Sequence, residues 1–218
     1  MEYIKLGRTD LLVSRIGFGA APIGGLYGRE ISVERAIATV HRALDLGMNF
    51  VDTAPAYGGG QSERYLGLAL KSYSGPQPIG RSQKTSMSSG IDYSYDTTMT
   101  TVETSLRRLG VDHLPLVHLH AVHMAPSVEH VLSPQNALGA LHKLQEQGVI
   151  DWIGVGTPQP IIAEYIASGK VDAALVANQF DLLDGSAAER ILPLAAEHNV
   201  GVIIGGAYGT GILATGAV

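Results

Sequence analysis

Four side chains in the first part of the chain have the chemistry needed to move a proton to or from an oxygen: Asp52, Tyr57, Lys84 and His120. Asp52 closes the short apolar run Asn49-Phe50-Val51. Tyr57 follows in Thr53-Ala54-Pro55-Ala56-Tyr57, just ahead of Gly58-Gly59-Gly60. Lys84 stands in Arg81-Ser82-Gln83-Lys84-Thr85, and His120 ends Leu116-Val117-His118-Leu119-His120. A phenol with an ordinary pKa of about 10 is a poor acid at neutral pH, but a neighbouring ammonium favours the phenolate and lowers that value. Lys84 can supply the charge, Asp52 can keep the lysine protonated, and His120 can orient a carbonyl or alcohol oxygen by hydrogen bonding. What such a set leaves to a partner is the movement of hydride. Each residue alone has an ordinary explanation, as a turn former, a packed ring, a solvated loop lysine or a core histidine, so it is their coincidence that points to chemistry. His118 shares a strand face with His120 through the two-residue period, and His123 follows closely, so the pattern leaves the choice of histidine open. As a metal cluster, His118-x-His120-x-x-His123 lacks a second acid or thiolate nearby, and no metal is expected.

Groups this far apart in sequence meet only if strand ends bring them together. Tyr3–Leu6 and Leu11–Ser14 flank the turn material Gly7-Arg8-Thr9-Asp10 and predict a small hairpin capping one end of the domain. Ile16–Ala20 reads as a glycine-rich buried strand, followed by a loop over Ala21–Tyr27. Ser32 reads as the N-cap of an amphipathic helix with apolar positions at Ala36, Val40, Ala43 and Leu44, ending near Gly47. The alternation then recurs. Strands are expected at Phe50–Val51, Ile79–Thr85, Leu114–His120, Trp152–Gly156, Ala173–Gln179 and Val200–Ile204. Helices are expected at Ser62–Leu70, Tyr95–Leu109, Asn136–Gln147, Pro160–Ser168 and Ala187–Glu197. This is an α/β pattern of seven strand–helix units, and it predicts a single-domain (β/α)8 TIM barrel over residues 1–218 with an N-terminal β-hairpin cap. The eighth unit is not found. A barrel of this kind usually needs about 250 residues, so a C-terminally truncated or incomplete barrel is expected. Reactive groups of such a barrel sit where the strands end, which is where all four residues fall.

Composition narrows the function class. The chain has 218 residues, 45% of them hydrophobic and 16% charged, the balance of a buried-strand domain. A formal charge of −5 with no basic block speaks against nucleic acid or an anionic membrane as the main partner. No cysteine is present, which removes disulfides, thiolate metal sites and cysteine nucleophiles. No apolar run reaches the roughly 20 residues of a membrane span, and the N-terminus does not read as a signal peptide. A soluble, cytoplasmic protein is expected, of unknown oligomeric state. Neither a Gly-x-Gly-x-x-Gly dinucleotide fingerprint after a strand nor a Walker loop occurs; Gly17-x-Gly19 is too short a match.

Four runs together resemble the aldo-keto reductases, within them the sugar-dehydrogenase-like branch: KLGRTDLLVSRIGFGAAPIGG from Lys5 to Gly25, FVDTAPAYGGGQSERYLGLAL from Phe50 to Leu70, DYSYDTTMTTVETSLRRLGVD from Asp92 to Asp112, and GVIDWIGVGT from Gly148 to Thr157. The resemblance implies an NADP- or NAD-dependent oxidoreductase on a (β/α)8 barrel, acting on a small-molecule carbonyl or sugar substrate, with Asp52, Tyr57, Lys84 and His120 as catalytic tetrad. It selects His120 because Leu119-His120 ends the strand after Arg-Arg-Leu-Gly-x-Asp, although Ala121 and Val122 replace the acid and proline usual next. The lysine segment also departs from the usual Ser-Thr-Lys. Gln179 matches the glutamine that holds the nicotinamide carboxamide, and Thr157 stands near the serine or threonine position beside it. Gly205 takes the place of a ring-stacking tyrosine, and the loop holding Gly206, Tyr208, Gly209 and Gly211 is expected against the pyrophosphate, with Gly19 at another strand end of the cofactor site. Two other classes fit the residues: a cofactor-binding relative without turnover, and a lyase using Lys84 as a Schiff base.

Overall fold

The computed structural model describes residues 1–25, 30–78, 80–85, 92–157 and 160–215, with backbone alone for 80–85, 210 and 215. The expected strand start at Ile79 and the loop residues Leu26 and Tyr27 lie outside these.

Tyr3–Lys5 (β1) and Leu12–Ser14 (β2) pair antiparallel, Ile4 opposite Val13. Gly7 turns the chain between them at φ 53°, and a Cβ there would run into the backbone of Gly201. The remaining strands form one parallel ladder in chain order: Phe18–Gly19 (β3), Phe50–Asp52 (β4), Gly80–Thr85 (β5), Leu114–His120 (β6), Ile150–Thr157 (β7), Ala173–Ala177 (β8) and Gly201–Gly205 (β9). Between them run Val33–Asp45 (α1), Gln61–Ser72 (α2), Tyr95–Leu109 (α3), Val128–Val131 (α4), Ala137–Glu146 (α5), Ile162–Ala167 (α6) and Ile191–Glu197 (α7), with Ile212–Thr215 (α8) after β9.

Helix ends follow local chemistry. Ser32 Oγ accepts from the Arg35 amide at 3.3 Å and opens α1, whose buried residues are the expected Ala36, Val40, Ala43 and Leu44. Ser94 caps α3 in the same way, and Gly110 ends it at φ 69°. Several expected elements are shorter than read: the strand expected over Ile16–Ala20 is only Phe18–Gly19, and the helix expected over Pro160–Ser168 is Ile162–Ala167. Ala187–Glu197 divides into a single 3-10 turn at Ser186–Ala188 and α7, because Arg190 leaves helical geometry at φ −131°. The strand after Val171 stops at Ala177, where Asn178 turns left-handed at φ 56° and carries Gln179 off the ladder. Pro115, which has no N–H to give, sits inside β6, but the β5 ladder first reaches β6 at Leu116.

The hairpin shows that the ladder is curled. Asn49, next to β4, accepts from the Ser14 amide at 2.6 Å, while Arg8 binds Asp172 at 2.9 Å and its amide donates to Asn199 at 2.8 Å, beside β8 and β9. In a flat sheet β4 and β9 would be about 24 Å apart at ~4.8 Å per strand, whereas each three-residue strand of the hairpin is about 10 Å long and only a short loop joins them. One hairpin touches both because the strand starts close toward one another beneath it. Leu6, Leu11 and Val13 seal that end against Phe50, Leu116 and Ala173. The other end, where the strands finish, is left for the site. No helix is long and apolar enough to cross a membrane among the described residues.

Candidate active site

Asp52, Lys84 and His120 all stand at or near the finishing ends of neighbouring strands. Asp52 pairs with Gly19 on one side and Ser82 on the other, Lys84 pairs with His118, and His120 pairs with Gly156. For Lys84 this backbone register is what is described; its side chain lies outside the described residues.

Tyr57 comes from the turn after β4, and that turn is held at several points. The Tyr57 amide donates to Ala54 at 3.1 Å and the Ser62 amide donates to the Tyr57 carbonyl at 3.2 Å. The Ser62 hydroxyl donates to the Ala20 carbonyl at 2.7 Å and is 2.8 Å from the Thr53 hydroxyl, both side chains being buried. Gly58, Gly59 and Gly60 all have positive φ. A Cβ on Gly58 would collide with the Gly24 carbonyl, and one on Gly60 with the Arg108 guanidinium, whereas a Cβ on Gly59 would meet open space and only its φ of 60° favours glycine there. Behind it, Arg108 donates to Glu63 at 2.8 Å, and Glu63 is fully buried.

This turn brings the phenol to the histidine. The rings of Tyr57 and His120 meet edge to face, centroids 6.5 Å apart and planes at 84°. The three histidines, which period alone could not separate, go to different places. His118 is fully buried within the curled ladder, where only glycine at 154 leaves room for its imidazole. His120 is half-buried at the open end. His123 is exposed and its Nδ1 lies 2.8 Å from Thr157 Oγ1.

The expected cofactor residues line the finishing ends of β3 and of β7 to β9. Gln179 follows β8, and its side-chain oxygen is buried with no hydrogen-bond partner among the described residues. An orphaned acceptor of this kind fits an amide donor such as a carboxamide N–H. Gly206 has φ 74°, and a Cβ there would strike Asn178 Oδ1, so only glycine gives this close backbone path. Thr157 is buried and already engaged with His123. Gly19 is exposed at the end of β3, with open space where a Cβ would be. Tyr208 is exposed, and the amides of Gly209 and Gly211 close the turn leading into α8 by donating to Gly206 and Tyr208. Those two amides are therefore committed within the loop, and an anion would have to be met there by other groups. Gly205 ends β9 and receives the Asn178 amide at 2.9 Å.

The model of the aldo/keto reductase family matches residues 15–217. The chain belongs to that family. Among curated relatives it is 33% identical to L-galactose dehydrogenase of Arabidopsis thaliana, covering 98% of this chain and 67% of that one. It is 31% identical to pyridoxal 4-dehydrogenase of Microbacterium luteolum, covering 98% and 72%. Among solved structures, the holo form of aldo-keto reductase AKR11C1 from Bacillus halodurans superposes with a TM-score of 0.83 at 28% identity, covering 100% of this chain and 70% of that one. The fold is thus the (β/α)8 type of the aldo/keto reductases, and the chain is an oxidoreductase of that family.

Sequence reading missed the supports of this site. Glu63 and Arg108, the Ser62–Thr53–Ala20 network and the Thr157–His123 pair join residues whose spacing carries no signal. So does Tyr93, whose phenol reaches the chain at His120.

Proposed function

We propose that this aldo/keto reductase uses NADP or NAD to interconvert an aldose and its C1-oxidised product, or a small aldehyde and its alcohol, with Tyr57 as general acid and base. The observation that carries the proposal is the edge-to-face meeting of Tyr57 with His120 at the strand ends, the end of the fold at which Asp52 closes β4. A nicotinamide bound near Gln179, Thr157 and the Gly205–Gly211 loop would supply or accept the hydride. Within the protein, Tyr57 gives its proton to the carbonyl oxygen in reduction and takes it back from the hydroxyl in oxidation. Lys84 and Asp52 lower the cost of the phenolate, and His120 donates to the same oxygen and fixes its direction. Gln179 holds the carboxamide through its unpartnered oxygen. The sugar and aldehyde substrates named for the Arabidopsis and Microbacterium relatives support this substrate class. We read residues 1–218 as part of one barrel domain, spanning about two thirds to three quarters of the relatives' length.

Tyr57→Phe tests the assignment. Oxidation of NADH or NADPH by aldehydes, or reduction of NAD or NADP by aldoses, is expected to cease in the variant while quenching of cofactor fluorescence persists. Turnover that survives the substitution would refute the role of Tyr57. Quenching without turnover in the unaltered chain would instead mark a cofactor-binding relative, and borohydride trapping of a carbonyl compound on Lys84 would mark a lyase.

A further inference from the structure

Tyr93 precedes α3, is 2% exposed, and plays no part in the chemistry proposed above. Its hydroxyl hydrogen is shared between the carbonyl oxygens of His120 and Ala121, each 2.8 Å from Oη. Those carbonyls lie on either side of Ala121, which has φ 53° and ψ 35°, a left-handed conformation an alanine adopts only under constraint. One donor that holds both carbonyls fixes the torsions between them. The Ala121 amide is fixed as well, donating to Gly156 on β7 at 2.8 Å. His120 is the last residue before this turn, so the direction in which its imidazole leaves β6 depends on the clamp.

The clamp has its own support. Asp92 accepts from the Ser94 amide at 2.8 Å and from Thr97 Oγ1 at 2.7 Å, and Ser94 forms a bridge with Asn136 ahead of α5. Burial pushes the Tyr93 phenol up to about 12, so it remains a neutral donor through the working pH range.

We infer that Tyr93 is a positioning residue: its hydroxyl locks the left-handed turn at Ala121 and thereby aims His120 at Tyr57. The inference rests on the proposed role of His120 for its effect on turnover, and on the fold alone for its effect on the imidazole. An ordinary buried tyrosine would contribute packing, which phenylalanine retains. A clamp requires the hydroxyl.

The test is Tyr93→Phe in the full chain, assayed with NADH or NADPH and DL-glyceraldehyde, alongside a pH titration of the histidine rings by nitrogen NMR. The expected result is a fall in kcat on the order of tenfold to a hundredfold, with cofactor affinity unchanged. The His120 titration is expected to shift while the His123 titration stays in place. Unchanged kcat together with an unchanged His120 titration would overturn the inference. If DL-glyceraldehyde is not turned over, or if Tyr57→Phe still turns over, the functional proposal fails separately and the His120 titration still decides the clamp. Should Tyr93→Phe not fold, Ala121→Val strains the same torsions with the phenol in place. A shifted His120 titration then supports the clamp, and an unshifted one overturns it.

Discussion

Arg108 Nη1 donates to Glu63 Oε2 at 2.8 Å, joining the last turn of α3 to the first turn of the helix that follows the Tyr57 loop. Glu63 is completely buried and Arg108 largely so, at 0% and 23% side-chain exposure. An ion pair in this setting adds little over an apolar pair, but removing one member takes from the other the opposite charge it faces. Arg108→Met is expected to cost about 3 kcal/mol in urea unfolding, and Glu63→Gln combined with Arg108→Met distinctly less. Equal losses in the single and double variants would show that the pair is not coupled. Because the guanidinium also packs on Gly60, the single variant is expected to lower turnover more than cofactor affinity.

Gln179 separates stability from binding. Its buried oxygen has no partner among the described residues, so Gln179→Met removes no hydrogen bond that this oxygen makes with them. Stability is expected to stay within about 0.5 kcal/mol of the original in thermal melts. Cofactor affinity, read by fluorescence quenching, is expected to weaken about tenfold, the worth of one hydrogen bond to a buried group. A variant that loses stability but not affinity would remove Gln179 from the site.

Asp92 ties the start of α3 to acid stability. The Thr97 hydroxyl, then the Ser94 amide, hold its carboxyl below the ordinary 3.8. A carboxyl whose pKa is lower folded than unfolded stabilises the fold above its unfolded value, and that contribution disappears as pH falls through the folded value. Asp92→Asn is therefore expected to lower Tm near neutral pH, with the difference from the original chain closing below about pH 4. A difference that stays constant across that range would assign the effect to packing and not to charge.

What the sequence made legible was local. The span Tyr95–Leu109 is read to the residue because both of its stops are short-range: the Ser94 cap and the left-handed Gly110. Asp52 and Tyr57 are legible because a strand end and a glycine turn are encoded within a few residues. His118 and His120 are not separable by a period of two, because they differ in depth along the strand axis and not in face. Contacts between distant segments were invisible for a related reason. Tyr93 and His120 lie 27 residues apart, and Glu63 and Arg108 lie 45 apart, on elements whose own patterns are satisfied without either contact. The orphaned oxygen of Gln179 is a property of an enclosure that several strands build together.

The hairpin under the strand starts also sets an order in time. Arg8 must wait for Asp172, 164 residues later, so on a ribosome adding about 5–20 residues per second its partner arrives roughly 8–33 seconds after it does. Through that interval Leu6, Leu11 and Val13 have Phe50 and then Leu116 to cover but not Ala173, and their full docking falls among the last steps because the loop it closes is among the longest in the chain. The sole tryptophan sits at this closure, Trp152 donating its indole N–H to Asp10 at 2.8 Å. Its emission is a built-in clock for the moment the base is shut.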